Sequence, residues 1–144
     1  MNTAAVKIRE MKPDDTRQII ELDKRIMGKE RVLSWPQKVG RYLEMYYPPL
    51  CHVAEVEGKI VGFILGDVRG WEYALLPAGW VDIMGVDPAY QGKEVGRKLL
   101  DAFVQACQRR NMKTHVIVRK GDDRIKGFLA AAGFTEGQLV DYEK

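Results

Sequence analysis

The chain has 144 residues, of which 46% are hydrophobic and 30% charged, with 23 basic side chains against 20 acidic ones. This size predicts one domain spanning residues 1–144, and the composition is that of an ordinary globular protein. The small, evenly spread positive charge argues against nucleic-acid binding by charge, and no apolar run reaches the roughly 18 residues of a membrane span.

The cysteines and the N-terminus indicate a cytoplasmic protein. Cys51 and Cys107 lie in different segments without C-x-x-C spacing, so we expect two reduced thiols rather than a disulfide scaffold or a zinc site. The segment from Met1 to Met11 lacks the apolar stretch of a signal peptide. We therefore expect no metal, no nucleic acid and no membrane among the partners.

The first elements in chain order are a strand and an amphipathic helix. Apolar and charged residues alternate at 6–10, which indicates a short strand. A helix is predicted to start at Pro13, with an Asp as its N-cap, and to run to about Met27.

A second helix and a β-hairpin follow. Ser34 begins an S-x-x-Q capping box, which predicts a helix that the prolines at 48 and 49 end. Two β-rich runs at 52–57 and 60–68 meet at a Gly-Lys turn, which predicts a hairpin.

The second half of the chain alternates between strands and helices. The predicted elements are a loop at 69–79, a strand at 80–86, a helix at 95–110, a strand at 113–118, a helix begun by Asp122 or Asp123, and a C-terminal strand pair from Phe134 and Leu139. Asn111 and Gly133 are predicted to end the two helices in the left-handed conformation. This order indicates a mixed α/β fold, with an antiparallel front half and a parallel crossover behind it.

The segment 86–100 carries the chemical signal. A strand stops, a turn containing Gly92 follows, and a helix opens at Val95, so that backbone N–H groups point towards an anion site at the helix N-terminus. Lys93 and Arg97 add positive charge at the same end. The two common phosphate motifs, G-x-x-x-x-G-K-[ST] and G-x-G-x-x-G, are absent. From the glycine and the helix alone, a tight turn that binds no ligand is an equal alternative.

The same segment resembles a known family. Its run V-x-P-x-Y-Q-G-K-x-V-G-x-x-L-L is similar to the acyl-CoA loop of the GNAT N-acetyltransferase superfamily, whose pattern is [QR]-x-x-[GA]-x-[GA]. Gln91 opens that pattern and Gly96 closes it. The element order over nearly the whole chain and the Gly133-Phe134 ending extend the resemblance.

The resemblance implies a fold and a reaction. The fold is α/β, with a splayed central sheet of six to seven strands flanked by four helices. The reaction is the direct transfer of an acetyl group from the cosubstrate acetyl-CoA to an amine, which is a small amine, a peptide or protein N-terminus, or a lysine. A homodimer is compatible with this resemblance.

The resemblance also implies which residues hold acetyl-CoA. The pantetheine would lie where the fourth and fifth strands separate, bonded to the backbone near Met84 and Val86. The pyrophosphate would bind to backbone amides along the loop, which comprises Gln91, Gly92, Lys93, Glu94, Val95, Gly96 and Arg97.

Three residues depart from the family pattern. Glu94 stands where Gly or Ala is usual, and its carboxylate either repels the pyrophosphate or points to solvent. Leu129 stands where the family often has a Tyr that protonates the leaving thiolate, and Asp122 stands where Asn is frequent. Glu94 and Leu129 motivate the alternative of a non-catalytic acyl-CoA-binding or regulatory module on the same fold.

Asp82 is the best candidate for a catalytic residue. It interrupts an apolar strand at the place where polyamine acetyltransferases of this superfamily carry a Glu, so it is expected to deprotonate or hold the acceptor amine. The alternative is a carboxylate that faces solvent or pairs with an Arg. His52 and His115 have no partners at ligand spacing and are interpreted as structural.

The loop before that strand is the remaining candidate. Trp71 and Tyr73 either wall an acceptor site or form a local hydrophobic plug, and Glu72 would attract a cation.

Overall fold

A five-stranded mixed sheet is the centre of the structure, a computed structural model that describes residues 5–29, 35–45, 49–92 and 94–144. The strands are β1 (Lys7–Glu10), β2 (His52–Val56), β3 (Lys59–Arg69), β4 (Ala78–Val86) and β5 (Thr114–Val116). They lie side by side in chain order. The first four are antiparallel, and β5 runs parallel to β4.

Four helices pack on the sheet, as the resemblance implies. They are α1 (Thr16–Met27), α2 (Trp35–Met45), α3 (Val95–Gln108) and α4 (Asp123–Ala131). Short 3-10 turns at Pro13–Asp15, Trp71–Tyr73 and Pro88–Tyr90 precede α1, β4 and α3. None of the helices in the described ranges is long and apolar enough to cross a bilayer.

The sheet separates two apolar clusters. On one face Ile19 and Leu22 of α1 and Val39 of α2 pack with Phe63 of β3. On the other face the stripe of α3, which includes Leu99 and Phe103, packs with further residues of β2, β3 and β4, and α4 covers its edge. Each of these buried side chains stabilises the fold by about 1.5–3 kcal/mol.

The ends of α3 and α4 have the predicted left-handed residues. Asn111 has φ 57° after α3, and Gly133 has φ 91° after α4. Phe134 N–H donates to Leu129 O at 3.0 Å and Gly133 N–H donates to Ala130 O at 3.0 Å, which is the Schellman pattern.

The predicted C-terminal strand pair is absent from the structure. Residues 134–144 form no strand, and the sheet therefore has five strands in the described ranges rather than six or seven. Leu139 and Val140 are adjacent, so a strand would place them on opposite faces, and both are exposed. The fifth strand is also shorter than the predicted 113–118, since only Thr114–Val116 pairs with β4.

An Asp stands at the N-cap of the first helix as predicted, but its side chain does not make the expected cap bond. Asp15 stands at the N-cap of α1 but makes no side-chain cap bond, because its carboxylate binds Arg9 and the backbone N–H of Lys12 instead. Asp122 does cap α4, accepting from Ile125 N–H at 3.1 Å. The capping box predicted at Ser34 lies outside the described residues.

Candidate active site

β4 and β5 separate part-way along β4. Their parallel pairing runs from Gly79 with Thr114 to Val81 with Val116, whereas β4 continues to Val86. We call the opening between the second half of β4 and the chain after Val116 the fork. It leaves one edge of β4 without a neighbouring strand inside the described sheet.

Met84 and Val86 present their backbone to the fork. Asp87 N–H donates to Val61 O of β3 at 2.8 Å, so the backbone at that residue points away from the fork. Since backbone N–H groups alternate in direction along a strand, those of Met84 and Val86 point into it. Gln91 Nε2 lies 3.4 Å from Val86 O, which places this side chain at the same opening.

A β-bulge re-aims Asp82 at the mouth of the fork. Leu65 pairs with Ile83 and Gly66 pairs with Val81, so Asp82 is the extra residue of β4. Its side chain turns towards the α1/α2 face, where it meets Tyr42 of α2. The bulge therefore presents a carboxylate where β4 loses its pairing with β5.

Asp82 is the centre of a charged group that we call the Arg69 cluster: Tyr42, Asp67, Arg69 and Asp82. Tyr42 Oη donates to Asp82 Oδ2 at 2.7 Å, and Arg69 Nη2 forms an ion pair with Asp82 Oδ1. Arg69 Nε lies 3.0 Å from Asp67 Oδ1, but the two atoms are not aligned for a hydrogen bond. Burial raises the pKa of Asp67, and burial together with the bond to Asp82 raises the pKa of Tyr42, so the phenol stays protonated.

An aromatic stack borders the Arg69 cluster. The rings of Trp80 and His115 are nearly parallel, with centroids 4.4 Å apart, and Tyr73 lies 5.1 Å from Trp80 on centroids. Trp80 Nε1 donates to Arg69 O at 3.1 Å, which fixes the indole. Tyr73 thus packs beside Trp80 and the Arg69 cluster, whereas Trp71 is 77% exposed.

The loop between β4 and α3 has the geometry of an anion site. Asp87 accepts from Ala89 N–H at 3.0 Å and meets Arg25 Nη2 of α1 at 3.4 Å, which fixes the start of the loop. Gly92 has φ 77° and Glu94 has φ 61°, so both adopt the left-handed region that glycine favours. Glu94 is exposed and makes no side-chain bond to the first turn of α3.

The first turn of α3 is open on its outer side. A Cβ on Gly96 would meet Val86 at 3.8 Å and Phe128 at 3.9 Å, which are ordinary contacts. Val95 beside it is buried and anchors the helix. Because Gly96 has no side chain, its backbone lies open to close approach beside Val86 at the end of β4.

The two basic residues predicted for this loop differ in their placement. Arg97 Nε pairs with Asp101 at 3.0 Å and its Nη1 donates to Ala131 O at 3.4 Å, so its charge lies at the contact between α3 and α4. Lys93 lies outside the described residues.

Three further side chains limit the chemistry. Leu129 packs on the apolar cluster of α3 and supplies no acid. Burial raises the pKa of the Cys51 thiol to about 12, and burial also raises the pKa of Cys107. Neither cysteine of the chain is a ready nucleophile, because the thiolate is the reactive form.

The positions of Tyr42, Arg69 and His115 at this site are not evident from local sequence patterns. Arg69 had a usable signal, because Asp67 and Arg69 are spaced by two at the end of an apolar strand and so share one face. Tyr42 and His115 reach the site only through the packing of α2 and the register of β5.

Comparisons with known proteins agree with this geometry. The profile of the acetyltransferase (GNAT) family matches residues 15–134. A possible acetyltransferase from Clostridium difficile 630 is 22% identical, with 96% of each chain covered and a TM-score of 0.78. An aminoglycoside N-acetyltransferase solved in complex with CoA is 16% identical over 99% of this chain and 97% of that one, with a TM-score of 0.82.

A third solved structure is similar over the same length. The ribosomal-protein-alanine N-acetyltransferase of Brucella melitensis biovar Abortus 2308 is 18% identical, covering 97% of this chain and 98% of that one, with a TM-score of 0.70. No curated protein sequence matches significantly. At these identities the solved structures establish the shared fold.

Proposed function

The chain belongs to the acetyltransferase (GNAT) family, and from that premise we propose that it moves an acetyl group from acetyl-CoA directly to an amine. The acceptor is a small amine, a peptide or protein N-terminus, or a lysine. The aminoglycoside and ribosomal-protein enzymes of similar fold, by their names, act on acceptors of these two kinds.

The observation that carries the proposal is the fork. Its open β4 edge offers the N–H groups of Met84 and Val86 to the amide-bearing pantetheine arm. The arm then leads to the loop at Gln91–Arg97, where left-handed residues and the first turn of α3 present backbone amides to the pyrophosphate. The acyl group supplied by acetyl-CoA would thus lie beside Asp82.

Direct transfer is favoured over an acyl-enzyme intermediate. A covalent route needs an activated nucleophile near the thioester. Both cysteines are buried with raised pKa values, so neither offers a thiolate at neutral pH. The amine itself is therefore the nucleophile in the proposed reaction.

Asp82 is proposed to hold the acceptor. One of its oxygens is paired with Arg69 and the other accepts from Tyr42, and each carboxylate oxygen has a second lone pair for an ammonium. These two donors fix the orientation of the carboxylate. Asp67 adds a second carboxylate to the same face, so the cluster attracts cations.

The test is thiol release from acetyl-CoA across a panel of amines, polyamines and peptides, with product mass as a second readout. The expected result is acceptor-dependent release and an acetylated amine. Binding of acetyl-CoA without turnover on any acceptor would favour a non-catalytic binding module instead. Absence of both binding and turnover would overturn the assignment of the fork.

A further inference from the structure

The Arg69 cluster contains two buried polar atoms, Asp67 Oδ1 and Arg69 Nε, that have no hydrogen-bond partner within the part of the chain that the structure describes. The two atoms lie 3.0 Å apart, which is an ordinary distance between a donor nitrogen and an acceptor oxygen, but they are not aligned. Buried polar groups in native proteins are nearly always paired, so two unpaired neighbours call for a physical reason. Holding the acceptor on Asp82 does not by itself supply one.

The guanidinium of Arg69 lies between two carboxylates and is bonded to one of them. Asp67 and Arg69 are two residues apart on β3, so their side chains lie on the same face of the sheet. Arg69 Nη2 is paired with Asp82 of β4, whereas Arg69 Nε lies beside Asp67. Trp80 Nε1 donates to Arg69 O and holds the backbone there. A change of partner from Asp82 to Asp67 therefore needs movement of the Arg69 side chain alone.

The charges of the cluster do not balance. Asp67 and Asp82 carry two negative charges, and Arg69 supplies one positive charge. The exposed side chains of Lys38 and Glu72 act on Asp67 in opposite directions. The pKa of Asp67 stays raised because burial outweighs the attraction of Arg69. Because partly buried charges are normally paired, one additional cation is the ligand charge that this cluster lacks.

An ammonium on Asp82 would be a neighbour of the Arg69 guanidinium. The side chains of Asp82 and Arg69 are 19% and 27% exposed, so a ligand can reach the pair from solvent. Two cations on one carboxylate repel each other, and in a partly buried site this repulsion is only weakly screened. Arg69 has an alternative acceptor in Asp67, 3.0 Å from its Nε. The repulsion is relieved if the guanidinium takes that acceptor.

Resting on the proposed function, we propose that Asp67 is a positioning residue for the acceptor: when the ammonium binds to Asp82, the guanidinium of Arg69 turns from Asp82 to Asp67 and donates to it through Nε. In the empty site Arg69 neutralises Asp82. In the occupied site each of the two carboxylates has one cation, and the two unpaired buried atoms bond to each other. An uncharged acceptor does not repel Arg69, so the exchange favours the ammonium form of the amine.

The first test removes the charge that receives Arg69. In Asp67→Asn the guanidinium stays on Asp82 and competes with the ammonium, so we expect KM for the amine to rise about 10-fold while kcat and Kd for acetyl-CoA stay within about twofold. The matched control is Glu55→Gln, which takes one of the two carboxylates from Arg9 and should leave KM unchanged. A parental KM in Asp67→Asn would overturn the proposal.

The second test asks whether Asp67 acts through Arg69 or by its own charge. It is a double-mutant cycle of Asp67→Asn and Arg69→Gln, with KM for the amine as the readout. If Asp67 acts through Arg69, adding Asp67→Asn to Arg69→Gln should change KM by less than about twofold. A direct attraction between Asp67 and the acceptor would raise KM equally in both backgrounds, and that result would overturn the exchange of partners.

The third test observes the parent protein and does not depend on a variant that folds. The chain is labelled with isotopic arginine and titrated with the amine of lowest KM in the acceptor panel. Free CoA replaces acetyl-CoA, so that no transfer takes place. The NMR signal of the Arg69 Nε–H should move downfield and its proton should exchange more slowly with water, because it then donates to a carboxylate. An unchanged signal at saturating amine would overturn the proposal.

The outcomes separate this proposal from the proposed function. If the parent chain acetylates amines but Asp67→Asn has the parental KM, the role of Asp67 is wrong and the proposed function stands. If the parent chain binds acetyl-CoA and acetylates no amine, the proposed function fails together with the role of Asp67.

Discussion

Arg9 and Arg69 each bridge two carboxylates, but the two clusters are built differently. Arg9 donates to both oxygens of Asp15 at 2.8 Å and to Glu55 at 3.0 Å, and Lys12 N–H also donates to Asp15. Each of the two carboxylates there accepts an aligned hydrogen bond from Arg9. This cluster ties β1 to β2 and to the start of α1, at the end of the sheet away from the fork.

The Arg69 cluster is less completely satisfied. Asp67 Oδ1 and Arg69 Nε lie close together but have no aligned hydrogen bond. Burial alone would raise the pKa of Asp15, but the bonds from Arg9 and Lys12 outweigh it and lower that pKa, whereas burial leaves the pKa of Asp67 raised. The comparison indicates that a closed cluster stabilises the fold and an open one keeps capacity for a ligand.

The largest effect is expected from a substitution of Asp82 in the Arg69 cluster. Asp82→Asn keeps the shape and removes the charge that holds the ammonium. We expect kcat/KM for the amine to fall by about 100-fold, mainly through KM, because the lost contact holds the acceptor in the ground state. Steady-state kinetics measure this, and Kd for acetyl-CoA should stay within about twofold. Unchanged KM for every acceptor would contradict the assignment.

A substitution in the cluster around Arg9 should lower the stability of the fold and leave the activity unchanged. Asp15→Asn removes the carboxylate that accepts two hydrogen bonds from Arg9, although Glu55 remains as a partner. The variant should lower the free energy of unfolding by about 2 kcal/mol, the scale of hydrogen bonds to charged groups. Urea titration at pH 7 measures the change. Kinetic constants of the folded variant should match the parent. A loss of turnover without a loss of stability would erase the distinction between the clusters.

A substitution of Gly96 in the first turn of α3 should weaken the binding of acetyl-CoA without lowering the stability of the fold. A Cβ at Gly96 makes only ordinary contacts in the protein. In the proposed mode of binding, the same Cβ would crowd the pyrophosphate as it approaches the backbone of this turn. Gly96→Ala should therefore raise Kd for acetyl-CoA about 10-fold, roughly 1.4 kcal/mol, without loss of stability. Gly127→Ala in α4 is the matched control, because nothing lies within 4 Å of its Cβ. Equal affinity in both variants, by calorimetry, would remove the loop from the site.

The smallest expected effect is that Asp15 and Asp67 make the free energy of unfolding depend on pH in opposite directions. Because the pKa of Asp15 is lowered from 3.8, its stabilisation is full above that pH and is lost as the pH falls through the folded value. Because the pKa of Asp67 is raised, the folded state gains stability as the pH falls through its folded value. Asp67→Asn should thus be neutral or stabilising by under about 1 kcal/mol at pH 7.

Urea titrations from pH 7 to pH 3 check both signs. The difference in unfolding free energy between the parent protein and Asp15→Asn should become smaller as the pH falls towards 3. Any gain in unfolding free energy of Asp67→Asn over the parent protein should vanish at the pH at which Asp67 of the parent becomes protonated. If Asp67→Asn lost as much unfolding free energy as Asp15→Asn, the Arg69 cluster would also serve to stabilise the fold.

Local patterns in the sequence predicted most of the fold. The spacing of apolar residues indicated helices, alternation indicated β1, and β-rich runs around a turn indicated the hairpin of β2 and β3, because these signals lie within neighbouring residues. The tail after Phe134 was mistaken for strands, because apolar content alone does not supply a partner strand. An Asp was correctly expected at the N-cap of α1, but the sequence did not show that Asp15 makes no cap bond, because its partner Arg9 is a tertiary contact.

The two sides of the candidate site were predictable to different degrees. The acyl-CoA loop is one continuous run, so its residues could be named from the sequence. The acceptor side draws on three strands and α2, and it depends on a bulge at Asp82 that no local pattern announces. Asp82 itself stood out as a charge in an apolar strand, whereas Arg69 and His115 acquire their positions from sheet register.

The most direct measurement is a titration of the isotope-labelled protein with acetyl-CoA, followed by amide NMR. The account predicts that the amides of Met84, Val86 and Gly96 shift most, and that those of β1 beside Arg9 do not move. Saturable shifts confined to the fork and the first turn of α3 would establish the site. Shifts centred elsewhere, or no shifts at saturating acetyl-CoA, would contradict it.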